Sequence, residues 1–398
     1  MVLKKKNIIL ISLGTLALLC MHLFVFNKSD PKIFAQELLN KADIQINGTR
    51  PWDIKVNNEA LYARVMSQGS LGFGEAYMDG WWDVQSLDQF FDKVMSADLH
   101  QEIKFNLTTL SHLVKARFIN LQSPARSFEI GEQHYDLDYA LFENTLDSRL
   151  MYTCGYWNKA QSLDEAQEHK IDLVCRKLNL KPGMQVLDIG CGWGGFAHYA
   201  ASKYGVQVTG ITISKEQKKY ADTMCQGLPV SIIMQDYRDL NQKFDRIVSM
   251  GMFEQVGYKN YKDFMRVAHQ SLKDDGLMLL HSIGGNFSNT TSDPWILKYI
   301  FPNSMLPSAS QIADAYQGLF VMEDWHNFGT DYDKTLMAWF EKFDKNWPVL
   351  QSKFDDRFYR MWKYYLLMCA GLFRARKTQL WQIVLSKNGI PGGYSSIR

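Results

Sequence analysis

The hydrophobic pattern divides the chain into parts of different character. From about residue 134 onward, short apolar runs alternate with segments whose apolar positions recur every three or four residues. Strands that alternate with helices in this way are typical of a parallel α/β sheet. The predicted strands read MQVLDI, VQVTGI, VSIIMQ, FDRIVSMG and GLMLLHSI, and KTQLWQIVLSK predicts a late strand of the antiparallel kind.

Residues 32–120 predict a small mixed domain that is mainly helical. A stretch rich in glycine and aromatic residues, 69–82, lies between its predicted helices. Residues 121–133 are polar, contain a proline and show no period, so we interpret them as a linker to a domain that spans 134–398. The predicted helices are PKIFAQELLNKAD, EALYARVMSQ, LDQFFDKVMSAD and QEIKFNLTTLSHLVKARF, with a short strand in DIKVNN.

Residues 1–31 have the pattern of a hydrophobic anchor. Lysines at positions 4–6 precede a segment, 8–26, whose only ionisable side chain is His22. As a helix it would be roughly 28 Å long, close to the ~30 Å core of a bilayer. We expect a single retained N-terminal transmembrane helix, with a cleaved signal peptide as the alternative. Lysines on both sides leave its orientation open.

Charge and cysteine content exclude several classes of protein. The net charge is only +2, whereas dedicated nucleic-acid binders usually have a strong basic excess, so we expect no nucleic-acid partner. The six cysteines show neither a metal-ligand spacing nor a disulfide framework, which predicts no metal site and fits a reducing compartment.

A glycine-rich turn follows the first predicted strand of the α/β part, in VLDIGCGWGG. Gly190, Gly192 and Gly195 satisfy the fingerprint of dinucleotide-binding loops, and Gly190, Gly192 and Gly194 equally satisfy that of S-adenosylmethionine (SAM) methyltransferases. A third interpretation is a tight turn without a ligand. A nicotinamide site needs an acid after the second strand, where the chain reads GITIS. The acid instead precedes the glycines, at Asp188, which favours SAM.

Further polar residues follow the ends of other predicted strands. Asp236 ends the third strand, where it would accept a hydrogen bond from an adenine amino group beside a stacked Tyr237. The carboxyl ends of parallel strands meet at one edge of a sheet, where ligands bind. We therefore expect one rim to carry Asp188, Thr212, Asp236, Glu254 and His281.

Several longer motifs resemble those of the bacterial cyclopropane synthases, the SAM-dependent family that acts on phospholipid acyl chains and mycolic acids. The resemblance covers roughly residues 32–390 in consistent order. It implies a class I SAM-methyltransferase (Rossmann-like) α/β domain behind the small N-terminal domain. The motifs are GSLGFGEAYMDGWW, MYTCGYW, VLDIGCGWGGFAHYAA, GITISKEQ, QDYRDL, FDRIVSMGMFE, DPWILKYIFP, EDWHNFGTDYDKTLMAW and CAGLFRAR.

The resemblance also implies a reaction and its residues. The methyl group of SAM is transferred to a cis double bond of an acyl chain, and a bound bicarbonate removes a proton as the ring closes. The bicarbonate ligands of the family match Cys154, Glu254, His281, the backbone of Ile283, and Tyr332. Its cofactor contacts match Tyr152, Thr153, Asp188, Gly190, Gly192, Gly194, Thr212, Ile213, Gln217, Asp236 and Tyr237.

Two further positions of the resemblance are Cys369 and Gln255. Cys369 matches a cysteine once proposed as catalytic, but alkene methylation needs no thiol nucleophile, so we favour a packed side chain. Gln255 stands where the family usually has histidine, in EQVG. If that position only packs or donates a hydrogen bond, glutamine can replace histidine. If it titrates, the pH profile would differ.

The family further implies partners and a location. Its substrates are unsaturated phospholipids of the bilayer, its members are often homodimers, and the N-terminal domain assists lipid capture. SAM is made in the cytosol, so we expect the catalytic domain on the cytoplasmic face of the membrane. Two alternatives stay open: a lipid methyltransferase with a methyl-branched or hydroxylated product, and a lipid- or SAM-binding protein without catalysis.

Overall fold

The computed structural model describes residues 30–99 and 139–398. The predicted anchor at 8–26, the linker at 121–133 and the helix predicted at 101–118 lie outside these residues. Among the helices that the structure does describe, none has the length and apolarity needed to cross a bilayer.

A seven-stranded sheet forms the centre of the α/β part. Its strands follow the order β5-β4-β3-β6-β7-β9-β8, with parallel pairing from β5 to β7 and antiparallel pairing of β9 to both β7 and β8. The prediction of a parallel sheet with a late antiparallel strand is confirmed. The strands are β3 (Gln185–Ile189), β4 (Gln207–Thr212), β5 (Val230–Met234), β6 (Phe244–Met250), β7 (Leu272–Gly285), β8 (Val321–Asn327) and β9 (Thr378–Ser386).

Strand β8 was absent from the sequence prediction. It lies at the edge of the sheet and pairs only with β9. Of its residues only Asp324 is buried, and Val321 and Met322 are exposed. An edge strand without a buried apolar face lacks the alternation on which strand prediction depends.

Helices cover the sheet, and several of them begin with a serine cap. Ser162 and Ser214 each accept a hydrogen bond from the backbone N–H three residues later, which caps the following helix. The helices are α4 (Tyr139–Glu143), α5 (Leu163–Lys177), α6 (Gly195–Tyr204), α7 (Lys215–Met224), α8 (Tyr261–Ser271), α9 (Pro294–Tyr299), α10 (Ala309–Tyr316), α11 (Thr330–Leu350) and α12 (Asp356–Arg374).

The described N-terminal residues form three helices where the pattern predicts them and a small two-stranded sheet, of which only the strand in DIKVNN was predicted. The glycine-rich stretch at 69–82 differs from expectation, because most of it is helical. The helix breaks at Gly69 and then continues to Met78. A Cβ atom on Gly74 would lie 2.5 Å from the Trp295 ring, so this glycine allows the close packing of α9. The elements are α1 (Pro31–Asn40), β1 (Lys55–Val56), α2 (Ala60–Met78), β2 (Trp82–Asp83) and α3 (Leu87–Ser96).

These N-terminal elements share one hydrophobic core with α11 and α12. Trp82, Phe90 and Phe91 belong to the same buried cluster as Tyr364 and Trp295. The Phe91 and Tyr364 rings meet edge to face at 5.2 Å. The N-terminal part is therefore fixed against the helices that border the cavity described next.

Candidate active site

A cavity of about 650 Å³ lies at the carboxyl ends of the parallel strands. Asp188, Thr212, Asp236, Glu254 and His281 all line it. The predicted rim is thus confirmed, because parallel strands direct their carboxyl ends to the same edge.

The glycine turn provides one wall of this cavity. Gly190, Gly192 and Gly194 have φ angles of 79°, 52° and 88°, in the left-handed region. A Cβ atom on Gly192 would meet nothing within 4 Å, so the backbone here borders open space. Gly194 does not line the cavity; a Cβ there would lie 2.9 Å from that of Ala221. Gly194 therefore allows the close packing of α6 against α7, and its expected cofactor contact stays a prediction.

Asp188, at the end of β3, has the features of a ligand-binding carboxylate. It is 1% exposed, and neither side-chain oxygen has a hydrogen-bond partner in the described structure. Burial raises its pKa to about 7, and the positive charge of Lys170 opposes this shift. Buried polar groups are normally hydrogen-bonded, so two such oxygens facing a cavity indicate a ligand with hydroxyl or ammonium donors.

Lys170 supports this wall and was not found by sequence reasoning. It lies on α5, is fully buried, and its Nζ donates a hydrogen bond of 2.7 Å to the Thr153 hydroxyl. Burial lowers its pKa to about 8. The available signal was its position four residues after Ala166 and four before Val174, both buried, on one face of the helix.

The expected adenine contacts lie together after β5. Asp236 accepts hydrogen bonds from the Arg238 side chain at 2.8 and 3.1 Å, so Arg238, absent from the prediction, orients this carboxylate. Tyr237 lines the cavity, and its ring packs edge to face on Phe264. On the adjacent strand end, the Thr212 hydroxyl donates to Gln217 Oε1 at 2.9 Å. Ile213, between them in the chain, also lines the cavity.

Tyr152 and Thr153 border the cavity from the segment after α4. The Tyr152 hydroxyl donates to that of Tyr365 at 3.0 Å, and its ring lies 5.3 Å from the Trp339 ring. Thr153 is held by Lys170, as described above. Both predicted residues are thus at the cavity, fixed by residues of α5, α11 and α12.

Glu254 follows β6 and carries one free carboxylate oxygen. Its Oε1 accepts a hydrogen bond of 2.7 Å from the backbone N–H of Ile283, and its buried Oε2 has no described partner. Burial raises the pKa of Glu254 to about 7. Glu254 accepts from the Ile283 N–H, so this backbone group fixes Glu254, and the expected contact of Ile283 with an anion stays a prediction.

His281, on β7, faces the cavity as a neutral donor. Its Nδ1 lies 3.3 Å from the side-chain nitrogen of Gln382, the residue opposite it on β9. The amide donates, so we assign Nδ1 as acceptor and the proton to Nε2, which is buried and has no described partner. Burial lowers the pKa of His281 well below its usual range, and Lys170 and Lys177 act in the same direction.

Of the remaining predicted residues, Tyr332 and Cys369 line the cavity and Cys154 does not. Tyr332 lines the cavity, and its ring packs 4.6 Å from that of Phe373. Cys369 lines it too, but burial raises its pKa to about 12, which keeps the thiol protonated, in agreement with a packed residue. Cys154 does not line the cavity: its Sγ lies 3.9 Å from the Thr335 hydroxyl. The thiol thus lies against Thr335, and the ligand role expected of Cys154 stays a prediction.

The rest of the cavity wall is apolar and was not predicted. Its residues come from α3, α4, α9, α12, β9 and the loop after α9, which are far apart in the sequence. The N-terminal part contributes Met95. The principal apolar residues are Met95, Phe142, Ile296, Phe301, Leu306, Met368, Leu372, Phe373 and Leu380.

This arrangement fits SAM at one wall of the cavity. Three features of this wall match hydrogen-bond donors of that molecule. The open backbone at Gly192 matches the amino-acid part, and the unpartnered carboxylate of Asp188 matches the ribose. The acceptor oxygens of Asp236 match the adenine. A nicotinamide site would need an acid after the second strand of the α/β part, where the chain reads GITIS and has none. Fold and site together define the chain as a SAM-dependent methyltransferase of class I.

Comparison with known proteins specifies the family. The family model described as mycolic acid cyclopropane synthetase matches residues 122–383. The cyclopropane-fatty-acyl-phospholipid synthase of Escherichia coli K12 is 53% identical over 359 residues, which cover 90% of this chain and 94% of that protein. The chain therefore belongs to the mycolic acid cyclopropane synthetase family.

Solved structures agree with this assignment. The cyclopropane synthase MmaA2 of Mycobacterium tuberculosis has a TM-score of 0.61 at 32% identity, covering 65% of this chain and 98% of that one. The mycolic acid cyclopropane synthase CmaA1, complexed with SAH and CTAB, has a TM-score of 0.60 at 32% identity and the same coverage. Coclaurine N-methyltransferase, at 21% identity and a TM-score of 0.64 over 79% of this chain and 98% of its own, shares the fold.

Proposed function

We propose that this enzyme transfers the methyl group of SAM to a cis double bond in a phospholipid acyl chain and closes a cyclopropane ring there. The observation that carries the proposal is one cavity that combines a SAM-type wall with an apolar wall and with the unpartnered polar atoms of Glu254 and His281. Relatives with the corresponding names, at 53% identity for the E. coli synthase, support the same reaction.

The apolar wall has two tasks in this reaction. SAM, when bound, supplies an electrophilic methyl group. An alkene is a weak nucleophile, so the wall must hold the double bond in line with that methyl group. It must also exclude water, because water would convert the cationic acyl chain to an alcohol. The faces of Tyr152, Phe301 and Tyr332 supply electron-rich surface beside the developing positive charge.

Ring closure needs a base, and the base we propose is a bicarbonate ion. The Nε2–H of His281 donates to the anion, and the free Oε2 of Glu254 accepts the anion's own hydroxyl. Tyr332, at the same cavity, is a further donor. Held by these residues, bicarbonate would supply the base for the one proton that the transferred methyl group loses, and the electron pair of that C–H bond forms the last bond of the ring.

The charge balance at this position is favourable for such an anion. A pKa near 7 allows Glu254 to be protonated or, when ionised, to accept the anion's hydroxyl. Because His281 is neutral, the protonated form of Glu254 is the one that avoids repulsion between two negative groups, and a bound anion would favour that form.

The proposal also covers where the enzyme acts at the membrane and how its copies assemble. Residues 32–120 assist lipid capture, which Met95 supports by lining the cavity from the N-terminal part. The catalytic domain, 134–398, acts on the cytoplasmic face, where its cosubstrate is made, with residues 1–31 as the anchor. Two copies form a homodimer, as expected from the family.

The test is mass spectrometry of dioleoyl phospholipid vesicles incubated with the enzyme, SAM and bicarbonate, with derivatisation of double bonds. Acyl chains that gain one CH₂ and lose the double bond support the proposal. Chains that gain a methyl group together with oxygen indicate the hydroxylated alternative. Unchanged lipids in the presence of bound SAM indicate a binding protein. Removal of bicarbonate under CO₂-free conditions should lower the rate if the anion is the base.

A further inference from the structure

One exposed aromatic side chain lies at the mouth of the cavity. Phe287, just after β7, is 72% exposed, more than any other large hydrophobic residue of the described chain. Among those exposed large hydrophobic residues, it is also the one that lines the cavity. Its ring therefore joins the apolar interior to the surrounding solvent, an arrangement that costs free energy unless the ring has an apolar partner.

The segment that carries Phe287 is held in place on both sides. The Asn286 amide donates to the Arg376 carbonyl at 2.9 Å, and the Asn289 carbonyl accepts from Gln311 at 2.9 Å. Between them, Ser288 and Ser308 share a hydrogen bond of 2.7 Å. The exposure of Phe287 thus follows from a fixed backbone.

The composition of this segment suits an interface between water and lipid. Residues 286–292 read NFSNTTS and contain no charged side chain. Uncharged polar groups lose less on partial dehydration than charged ones do. A bilayer surface therefore accepts this segment at low cost.

The main chain of Arg376, which accepts the Asn286 amide, lies next to the segment and carries an exposed cation. Arg376 is exposed, and among the described residues no carboxylate lies within ion-pair distance of it. Its neighbour Lys377, in contrast, pairs with Asp98 at 2.7 Å. A guanidinium is well suited to bind phosphate through two parallel hydrogen bonds.

We propose that Phe287 and Arg376 form a docking surface for the phospholipid bilayer, with the Phe287 ring inserted at the level of the headgroups and Arg376 on a lipid phosphate. This inference rests on the proposed function, since the cavity beneath Phe287 receives the acyl chain. Two features specify a lipid surface as the occupant: the ring is continuous with the apolar cavity, and Arg376, whose main chain contacts this segment, carries an exposed positive charge. A docked mouth would let an acyl chain reach the cavity without crossing water.

The first test compares enzyme activity on two forms of one lipid. Dioleoylphosphatidylglycerol is offered to the full chain either as vesicles or dispersed in detergent micelles. For Phe287→Ser we expect the vesicle rate at low lipid concentration to fall about five- to ten-fold more than the micelle rate, because the lost burial matters only at a bilayer. Val349→Ser, which removes another exposed apolar side chain (65%) away from the cavity, is the matched control.

Arg376→Gln addresses the electrostatic part. We expect it to reduce the preference for phosphatidylglycerol over phosphatidylcholine vesicles and to weaken the salt dependence of the vesicle rate.

Equal losses on vesicles and micelles for Phe287→Ser would place the ring in substrate binding alone and overturn the docking surface. Vesicle and micelle rates of Phe287→Ser identical to those of Val349→Ser would also overturn the docking surface.

A second measurement separates docking from catalysis. Amide hydrogen exchange of the full chain, with and without phosphatidylglycerol vesicles, should show protection of residues 286–292 that Phe287→Ser reduces. Protection without any cyclopropane product would uphold the docking surface and reject the proposed function. Cyclopropane product without protection of residues 286–292 would uphold the proposed function and overturn the docking surface.

Discussion

The Glu254 carboxylate accepts a hydrogen bond of 2.7 Å from the backbone N–H of Ile283, which connects the end of β6 to β7 across the cavity edge. This bond holds one carboxylate oxygen and leaves the other, Oε2, buried without a described partner. The side chain is therefore already oriented before a ligand arrives, as general acid–base chemistry and anion binding both require.

Glu254→Gln should abolish most of the activity and leave cofactor binding intact. The new amide oxygen can still accept from Ile283, but an NH₂ group then replaces the acceptor that faces the cavity. We expect kcat to fall by about 10²–10⁴-fold. Steady-state kinetics with saturating SAM measures the loss, and calorimetric titration with SAM measures binding. A SAM affinity that falls as much as kcat would contradict the assignment of Glu254 to the anion.

The same substitution should stabilise the protein at neutral and higher pH. The folded-state pKa of Glu254, about 7, lies above its ordinary value of 4.5, so the folded protein binds more protons than the unfolded chain between these values. The free energy of unfolding therefore falls as pH rises from 4.5 through 7. We expect Glu254→Gln to raise the Tm at pH 8 but not at pH 4.5, in ligand-free thermal scans. An unchanged difference across this range would show that Glu254 is not destabilising.

Asp188→Asn should weaken SAM binding more than it changes turnover. The asparagine keeps the shape but replaces one acceptor with a donor and removes the charge. A charge-assisted hydrogen bond contributes about 1.5–3 kcal/mol, so we expect the KM for SAM to rise about 10- to 100-fold, with a smaller effect on kcat at saturation. Asp222→Asn, which changes a surface carboxylate paired with Lys218, is the control and should leave KM unchanged.

Lys170→Met should move the pH dependence of SAM affinity to higher pH. Loss of the ammonium removes the group that opposes the raised pKa of Asp188 and also removes the hydrogen bond that holds Thr153. We expect a several-fold higher KM for SAM at pH 7 that partly recovers at pH 8.5. Lys177→Met, at the second buried lysine of α5, controls for destabilisation of the helix. Equal, pH-independent effects of both variants would indicate a purely structural role for Lys170.

Gln255→His should add a titration to the activity. Gln255 lines the cavity, and its buried Oε1 has no described partner, so its side chain is placed to meet a ligand. Its neutral amide does not titrate, whereas an imidazole does so near pH 6.5. We expect kcat/KM of the variant to gain a further pH-dependent limb between about pH 6 and 7, in addition to the titrations of Asp188 and Glu254 that both enzymes share. Overlapping profiles would show that the position only packs.

The polar side of the site could be predicted from local pattern. Asp188 and Thr212 lie at strand ends, and His281 lies on β7 opposite the last residue of β6; parallel strands bring such positions to one edge whatever the other side chains are. The glycine turn, with its acid before rather than after it, favoured the correct cofactor. Cys154 shows the limit, because proximity in the chain to Thr153 did not reveal that its thiol faces Thr335.

The sequence alone determined the parallel sheet, the late antiparallel strand, the SAM-type turn and the family. These depend on short-range periodicity and on motifs whose residues are neighbours in the chain. Only the tertiary structure showed that Gln382 sets the tautomer of His281, that Lys170 is buried against Thr153, and that Met95 reaches the cavity. These contacts join residues from separate elements, and strand register and helix packing, which no local pattern encodes, decide which side chains meet.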